Sequence, residues 1–326
     1  MMHISFWGSP EISVILLEEL VKNPGIQVEF VVTQEDKPRS YRGKLEEPTP
    51  VKKKADHYNI PVFTPKSLKK NSDELFAQIS QFSVDLNVVF AYGKIIPERF
   101  FNLPRLGSLN FHASLLPNLR GASPIEHALL QGDEKTGWTM QKMNAELDAG
   151  DMYYIHEVEI KWEDDYNSLT QRLMTELISF SGNILEQYTS GKLVPVHQKN
   201  EMATHCGKID TDQGKINWFD SVFNVRNRAR AMSNRGGIYS FLNTKKYKIF
   251  PDLQIDRETI LKSSEFAKQP GIIAMATDQH IWISCNNNQS LPVKYIQPEG
   301  KKKLTPREFI NGYRIQIGDR FDVFAG

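Results

Sequence analysis

A five-residue run, Ser108-Leu-Asn110-Phe-His112, constrains the fold of this chain more than any other stretch. Read as a strand, it sets Asn110 and His112 on one face, because side chains alternate along a strand. Pro117 and Gly121 soon end it, so the polar pair falls at a carboxyl-terminal strand edge, where open α/β sheets bind ligands. Asp148 adds a carboxylate in the run Leu147-Asp148-Ala-Gly150-Asp151. An amide, an imidazole and a carboxylate can together stabilise an oxyanion, move a proton and orient the ring. Plainer uses exist: a strand-end histidine is often structural, and Asp148 suits a turn at Ala149-Gly150. Ser114 lacks the Gly-x-Ser-x-Gly elbow of a nucleophilic serine. His205-Cys206 is isolated and no His-Glu-x-x-His occurs, so no metal site is expected.

Strand and helix patterns alternate on both sides of this run. Strands are expected at 3–7, 28–33, 85–91, 108–112 and 153–160, with a β-rich run at 137–143. Helical patterns follow Gly8-Ser9-Pro10, where Ser9 can cap and Pro10 can open the helix, and recur at 73–80, 124–131 and 168–188. This order predicts an α/β domain over 1–190, a doubly wound, mostly parallel sheet. Gly8 is the only glycine before Gly25, so the Gly-x-Gly-x-x-Gly of dinucleotide enzymes is absent, and no P-loop motif exists. Residues 191–205 lack an apolar pattern and read as a linker. Beyond it, a helix near 221–233 displays Arg226, Arg228 and Arg230. Short β-prone runs at 238–242, 247–250, 271–276, 280–284 and 291–296 then suggest a small β-barrel of the oligonucleotide-binding (OB-like) type over 206–326.

A length of 326 residues fits two such domains, and 40% hydrophobic with 24% charged residues is ordinary for a folded soluble chain. The two cysteines, Cys206 and Cys285, lie far apart, and no apolar run approaches a membrane span, so reduced thiols in a cytoplasm are expected. The net charge of +1 conceals an asymmetry: residues 206–326 carry 19 basic and 12 acidic side chains, a balance of +7 against −6 elsewhere. A polyanionic partner for the second half, or simply a solvated basic surface, accounts for it. Residues 34–54 hold seven basic and four acidic side chains around Pro38, Gly43 and Pro48. They read as a basic finger that orders on a phosphate backbone, or as a solvated loop.

The segment Asn110-Phe-His112-Ala-Ser114-Leu115-Leu116-Pro117, with Arg120-Gly-Ala-Ser-Pro124-Ile125, Gly132-Asp133, Thr136-Gly137 and Leu147-Asp148-Ala-Gly150-Asp151, closely resembles the 10-formyltetrahydrofolate-dependent formyltransferases. The Asn-x-His pair and an Asp 38 residues after the Asn carry the likeness, which extends through Arg42-Gly-Lys44, Lys208, Ile216-Asn-Trp218, Pro270-Gly271 and Gly300-Lys-Lys302. Within the family the chain is most similar to the members that act on charged tRNA. The resemblance implies formyl transfer from 10-formyltetrahydrofolate to the α-amino group of initiator methionyl-tRNA, in translation initiation, by a cytoplasmic and monomeric enzyme. It implies catalytic roles for Asn110, His112 and Asp148, and folate contacts from Ser114, Leu115, Leu116 and Pro117, with Phe90 and Tyr92 lining the pterin pocket. It implies tRNA contacts from Arg42, Lys44 and Lys208. Ala113 stands where family members often have Gly, and Met232-Ser-Asn-Arg235-Gly-Gly237 replaces an aromatic-Pro stretch. The alternatives are a formyltransferase for an amino sugar nucleotide, a glycinamide ribonucleotide formyltransferase, and a non-catalytic nucleic-acid-binding module.

Overall fold

A computed structural model describes residues 1–38, 46–70 and 72–322, and the chain divides into two compact units. The first comprises Met1–Gly121, Gly137–Val158 and Gln171–His205. Its sheet has seven strands in the spatial order Met152–Glu159, Lys135–Lys142, Ser108–His112, Leu86–Val89, Met2–Trp7, Ile26–Val32 and Val62–Phe63. Pairing is parallel from Ser108–His112 through to Val62–Phe63, and Lys135–Lys142 runs antiparallel to Ser108–His112. The chain thus starts mid-sheet, builds one flank, then returns past its first strand to build the other. That reversal beside Met2–Trp7 is the switch point of a doubly wound sheet, which opens a crevice at the carboxyl ends of the strands.

Strands buried on both faces read as continuous apolar runs, as in Leu86, Val88 and Val89, which are 5% exposed or less. Trp7, Phe30, Val32 and Phe100 close a core on one side, with Trp7 edge-on to Tyr92 at 5.5 Å. Three neighbouring strands are also stitched by buried polar groups. Ser5 Oγ donates to Asn87 Oδ1 at 2.5 Å, and Asn87 Nδ2 donates to Ser108 Oγ at 2.8 Å. Fully satisfied, such a chain fixes the strand register that sets Asn110 two positions on.

Two local expectations need correction. Ser9 caps no helix. Glu11–Lys22 starts after Pro10 without a side-chain cap, while Ser9 Oγ donates to Tyr92 O at 3.3 Å and accepts from Gln34 N at 3.1 Å. The basic run 52–54 is not a loop but part of the helix Pro50–His57, opened by Pro50 and capped by Thr49, whose side chain accepts from Lys52 N. Each of its lysines is paired: Lys52 with Asp36 at 2.5 Å, Lys53 with Glu47 at 3.0 Å, Lys54 with Glu18 at 2.6 Å.

The second unit comprises Ala122–Thr136, Glu159–Thr170 and the chain from Cys206 onward. It is a small barrel-like antiparallel domain of five strands, ordered Ile238–Leu242, Lys245–Pro251, Gln289–Pro298, Ile281–Cys285, Ile273–Ala276. Trp218, Val225, Ile249, Ile283, Phe309 and Phe321 fill its core. Both cysteines are buried and neither is in a disulfide.

The helix Val222–Ala231 does not display its arginines. Arg226 and Arg230 are 1% and 4% exposed. Arg226 Nη2 donates to Trp162 O and Leu253 O at 2.6 and 3.0 Å, and its guanidinium lies 3.7 Å from the Trp162 ring centroid. Burial, then Arg230 nearby, push the Arg226 guanidinium down to about 9; it stays charged at neutral pH, with two carbonyls and a π-face as partners. Arg230 donates to Asp164 O and Lys161 O, and Arg228 to Asp220 at 3.1 Å. Arg226 and Arg230 tie 159–170 to the barrel instead of facing a polyanion, while half-buried Arg228 binds the stretch 213–220.

Candidate active site

Asn110 and His112 occupy the carboxyl end of Ser108–His112, and both reach Asp148. Asp148 sits at φ +51°, a left-handed turn residue, so its carboxylate turns back toward the strand it follows. Gly150, two residues on, admits no side chain: a Cβ there would lie 1.6 Å from Lys142 O. The tight turn therefore needs that glycine, and it holds Asp148 against the sheet rim.

The carboxylate is fixed by three N–H donors. Oδ1 accepts from Asn110 Nδ2 at 3.3 Å and from Gln141 Nε2 at 3.0 Å, while Oδ2 accepts from the Gly121 amide at 2.9 Å. Gln141 stands directly opposite Asn110 in the antiparallel register, which explains why both side chains meet one oxygen. An amide nitrogen has two hydrogens. Asn110, only half-buried, therefore keeps a donor for a further oxygen beyond Asp148.

His112 is 6% exposed. Its Nε2 lies 2.9 Å from Leu119 O, and a carbonyl only accepts, so Nε2 carries a hydrogen. Nδ1 faces Asp148 Oδ2 at 3.7 Å, too far for a hydrogen bond and close enough for an ion pair when the ring is charged. The imidazole is thus oriented from both edges.

A further layer supports Asp148. Gln198 is 1% exposed, and its Nε2 donates its two hydrogens to Gly150 O at 2.7 Å and Asp148 O at 2.9 Å, with Gln141 Oε1 also within 3.2 Å. Buried Arg120 donates to Gln198 Oε1 at 3.0 Å and Asn200 Oδ1 at 2.7 Å. Residues 191–205 are therefore more than a linker, since Gln198 completes the site. Gln141 and Gln198 escaped sequence reading. The first needs the pairing of Lys135–Lys142 with Ser108–His112, and no local signal marks the second.

The remaining residues named from the sequence are distributed as follows. Ser114 is buried and donates to Asn118 O at 2.6 Å, and Leu116 N donates to Thr139 Oγ1 at 3.1 Å. Leu115 and Pro117 are half-buried, the latter after a cis peptide bond. Phe90 lies edge-on to Trp138 at 5.5 Å in the core, and its carbonyl accepts from Ser13 at 2.8 Å. Tyr92 is 2% exposed, and burial pushes its hydroxyl up. That hydroxyl has no hydrogen-bond partner. Phe90 and Tyr92 flank the switch point, but from inside it. Lys208 is exposed in the second unit, and Arg42 and Lys44 lie outside the described residues. Among the described residues no group of three or more His, Cys, Asp or Glu could hold a metal ion.

An oriented imidazole, a fixed carboxylate and a spare amide donor at the rim of a doubly wound sheet define a group-transfer site that needs no protein nucleophile. The chain belongs to the formyl transferase family: its residues 4–178 match the formyl transferase model and 208–314 the formyl transferase C-terminal domain. It is 37% identical over 320 residues to the methionyl-tRNA formyltransferase of Leptospira interrogans, covering 98% of this chain and 100% of that one. The methionyl-tRNA formyltransferase of Thermotoga maritima is 36% identical over 321 residues, 98% of both chains. A sugar 3N-formyl transferase, WlaRD, solved with dTDP and 5-N-formyl-THF, shares the fold at TM-score 0.61 and 16% identity, over 93% of this chain and 99% of that one. So does HypX from Aquifex aeolicus in complex with tetrahydrofolic acid, at TM-score 0.60 and 15% identity, over 99% of this chain and 51% of that one.

Proposed function

We propose that this protein transfers a formyl group from 10-formyltetrahydrofolate to the α-amino group of initiator methionyl-tRNA, in preparation for translation initiation. The observation that carries the reading is likeness across the whole chain, both units included, to proteins named for that reaction. Asn110 donates its spare hydrogen to the formyl oxygen as that oxygen gains charge. His112 accepts the proton of the attacking amine and returns it to N10. Asp148 holds the ring and Asn110 in place for both steps. The new bond joins the amine nitrogen to the formyl carbon, the carbon–N10 bond breaks, and no net proton is lost. The amine attacks only when neutral, and a free chain terminus has a pKa of roughly 7.7–8.0, so a proton acceptor speeds the reaction near neutrality.

In this reading residues 1–190 carry the chemistry with Gln198 of the connecting stretch 191–205, and 206–326 hold tRNA. Folate lies along Ser114, Leu115, Leu116 and Pro117 with Phe90 and Tyr92 behind, while Arg42, Lys44 and Lys208 meet phosphates. The half-buried Leu115 and Pro117 leave apolar surface suited to a pterin. No helix among the described residues is long and apolar enough to cross a membrane. A cytoplasmic monomer is part of the proposal. The test is formylation of charged initiator against charged elongator tRNA by the wild-type protein and Arg42→Ala, with an amino sugar nucleotide as rival acceptor. Preference for initiator tRNA, weakened in Arg42→Ala, is expected; equal use of both tRNAs, or preference for the sugar, contradicts the reading.

A further inference from the structure

The second unit has an outward sheet face that holds none of the residues named above as tRNA contacts. Burial alternates along Ile238–Leu242, over 246–250 of Lys245–Pro251 and over 295–298 of Gln289–Pro298, with Leu242, Tyr247, Ile249 and Ile296 on the buried side. Residues opposite one another in an antiparallel sheet share a face. The pairs Phe241–Lys246, Tyr239–Lys248 and Phe250–Tyr295 therefore lie together on the outward side, with Gln297 beside Lys248. Successive rows are about 7 Å apart, two residues along a strand.

Tyr295 is 37% exposed, and Tyr239, Phe241 and Phe250 are half-buried. Two of these rings lie under lysines: Lys246 Nζ is 3.9 Å from the Tyr239 centroid and Lys303 Nζ 3.9 Å from the Phe250 centroid. Among the described residues, Lys245, Lys246, Lys248, Lys301 and Lys303 make no ion pair, whereas Lys302 meets Glu308 at 3.6 Å. Glu299 at the strand end, Asp212 near Tyr239 and Asp322, whose amide donates to Phe241 O, are acidic groups that flank the face. A merely solvated face has no use for a row of rings, and protein-binding faces are depleted in lysine. Rings interleaved with uncompensated lysines suit single-stranded nucleic acid, which presents a π-face with every base and a charge with every phosphate.

We propose that this face is a stacking platform for unpaired nucleotides of an RNA partner. Tyr239, Phe250 and Tyr295 take the bases, and Lys246 and Lys303 leave the rings to meet phosphates. The proposal rests on the tRNA reading and deepens it: the second unit reads exposed bases as well as backbone charge.

The test uses the full-length protein and compares a short single-stranded oligoribonucleotide with an abasic strand of equal length and charge, by fluorescence anisotropy across a salt series. The base-bearing strand should bind roughly tenfold tighter or more. Phe250→Ala and Tyr295→Ala should each remove most of that advantage, the second from an exposed position that leaves folding intact. Lys303→Ala should lower the salt slope for both strands by roughly 0.7. Equal affinity for the two strands, an advantage that survives both aromatic variants, or equal binding of duplex RNA overturns the platform. Formylation of methionyl-tRNA by the same proteins separates the failures. An inactive wild type sinks the proposed function while the strand comparison still judges the face. Normal formylation with equal strand affinities sinks the platform alone.

Discussion

Asp148→Asn separates charge from geometry at the residue on which the site converges. Asparagine tolerates the φ of +51°, so the turn should persist. Its amide, however, sets an NH2 against one of the N–H donors from Asn110, Gln141 and Gly121, and removes the charge facing His112. We expect kcat to fall on the order of 10⁴-fold, with the thermal midpoint nearly unchanged, as when a triad carboxylate becomes an amide. Gln198→Ala should act on stability first, because Asp148 O, Gly150 O and Arg120 Nε would each lose a buried partner. The cost should be roughly 1–3 kcal/mol by urea denaturation, with a smaller loss of rate. Asn110 and His112 were legible because alternation along one strand is a local rule. Gln141 depends on which strand pairs with which, and Gln198 on a contact 50 residues from Asp148, so neither periodicity nor motif spacing carries them.

The same limit appears in whole elements. The alternation of Arg226, Arg228 and Arg230 looks like a displayed basic helix, yet residues four apart share a face, and here Arg226 and Arg230 share the buried one. Their acceptors, at Trp162 and Lys161, come from more than 60 residues away, which no helical pattern reveals. Arg226→Ala should therefore destabilise the second unit by about 3 kcal/mol on denaturation, through two charged hydrogen bonds and the Trp162 contact. The helix Pro50–His57 is a different case. Pro50 behind Thr49 is a start signal, and treating 34–54 as one polar segment passed over it. A pH effect belongs to this scale too. Burial alone would raise the Asp252 carboxyl, but His280 at 2.9 Å, the Gln254 amide and Lys294 hold it below the ordinary 3.8. A depressed carboxylate stabilises the fold above its unfolded pKa, and the contribution is lost as pH falls below that value. His280→Ala should accordingly move the acid-unfolding midpoint upward, as followed by tryptophan fluorescence.

Across the whole molecule, the order of strands and helices was enough to foresee a doubly wound sheet and a second unit built on a small β-barrel, because layer architecture follows from that order. Which segments complete each unit was not legible: 122–136 and 159–170 pack with the chain from Cys206 onward through buried arginines and a helix pair. Charge asymmetry is likewise a whole-molecule property, and it predicts that tRNA affinity drops by at least ~10-fold between 50 and 200 mM salt in a filter-binding assay. An affinity that barely responds to salt would point to a small acceptor such as an amino sugar nucleotide instead. The central claim is that Asn110 and His112 act as one unit on a single transferring carbon. Single-turnover formyl transfer to charged initiator tRNA tests it directly, with Asn110→Ala, His112→Ala and the double variant compared. Each single change should cost on the order of 10²–10³ in rate, and the double variant should be little slower than the worse single, because members of a catalytic unit are not additive. Losses that simply multiply, or a wild-type rate in either single variant, would contradict the account.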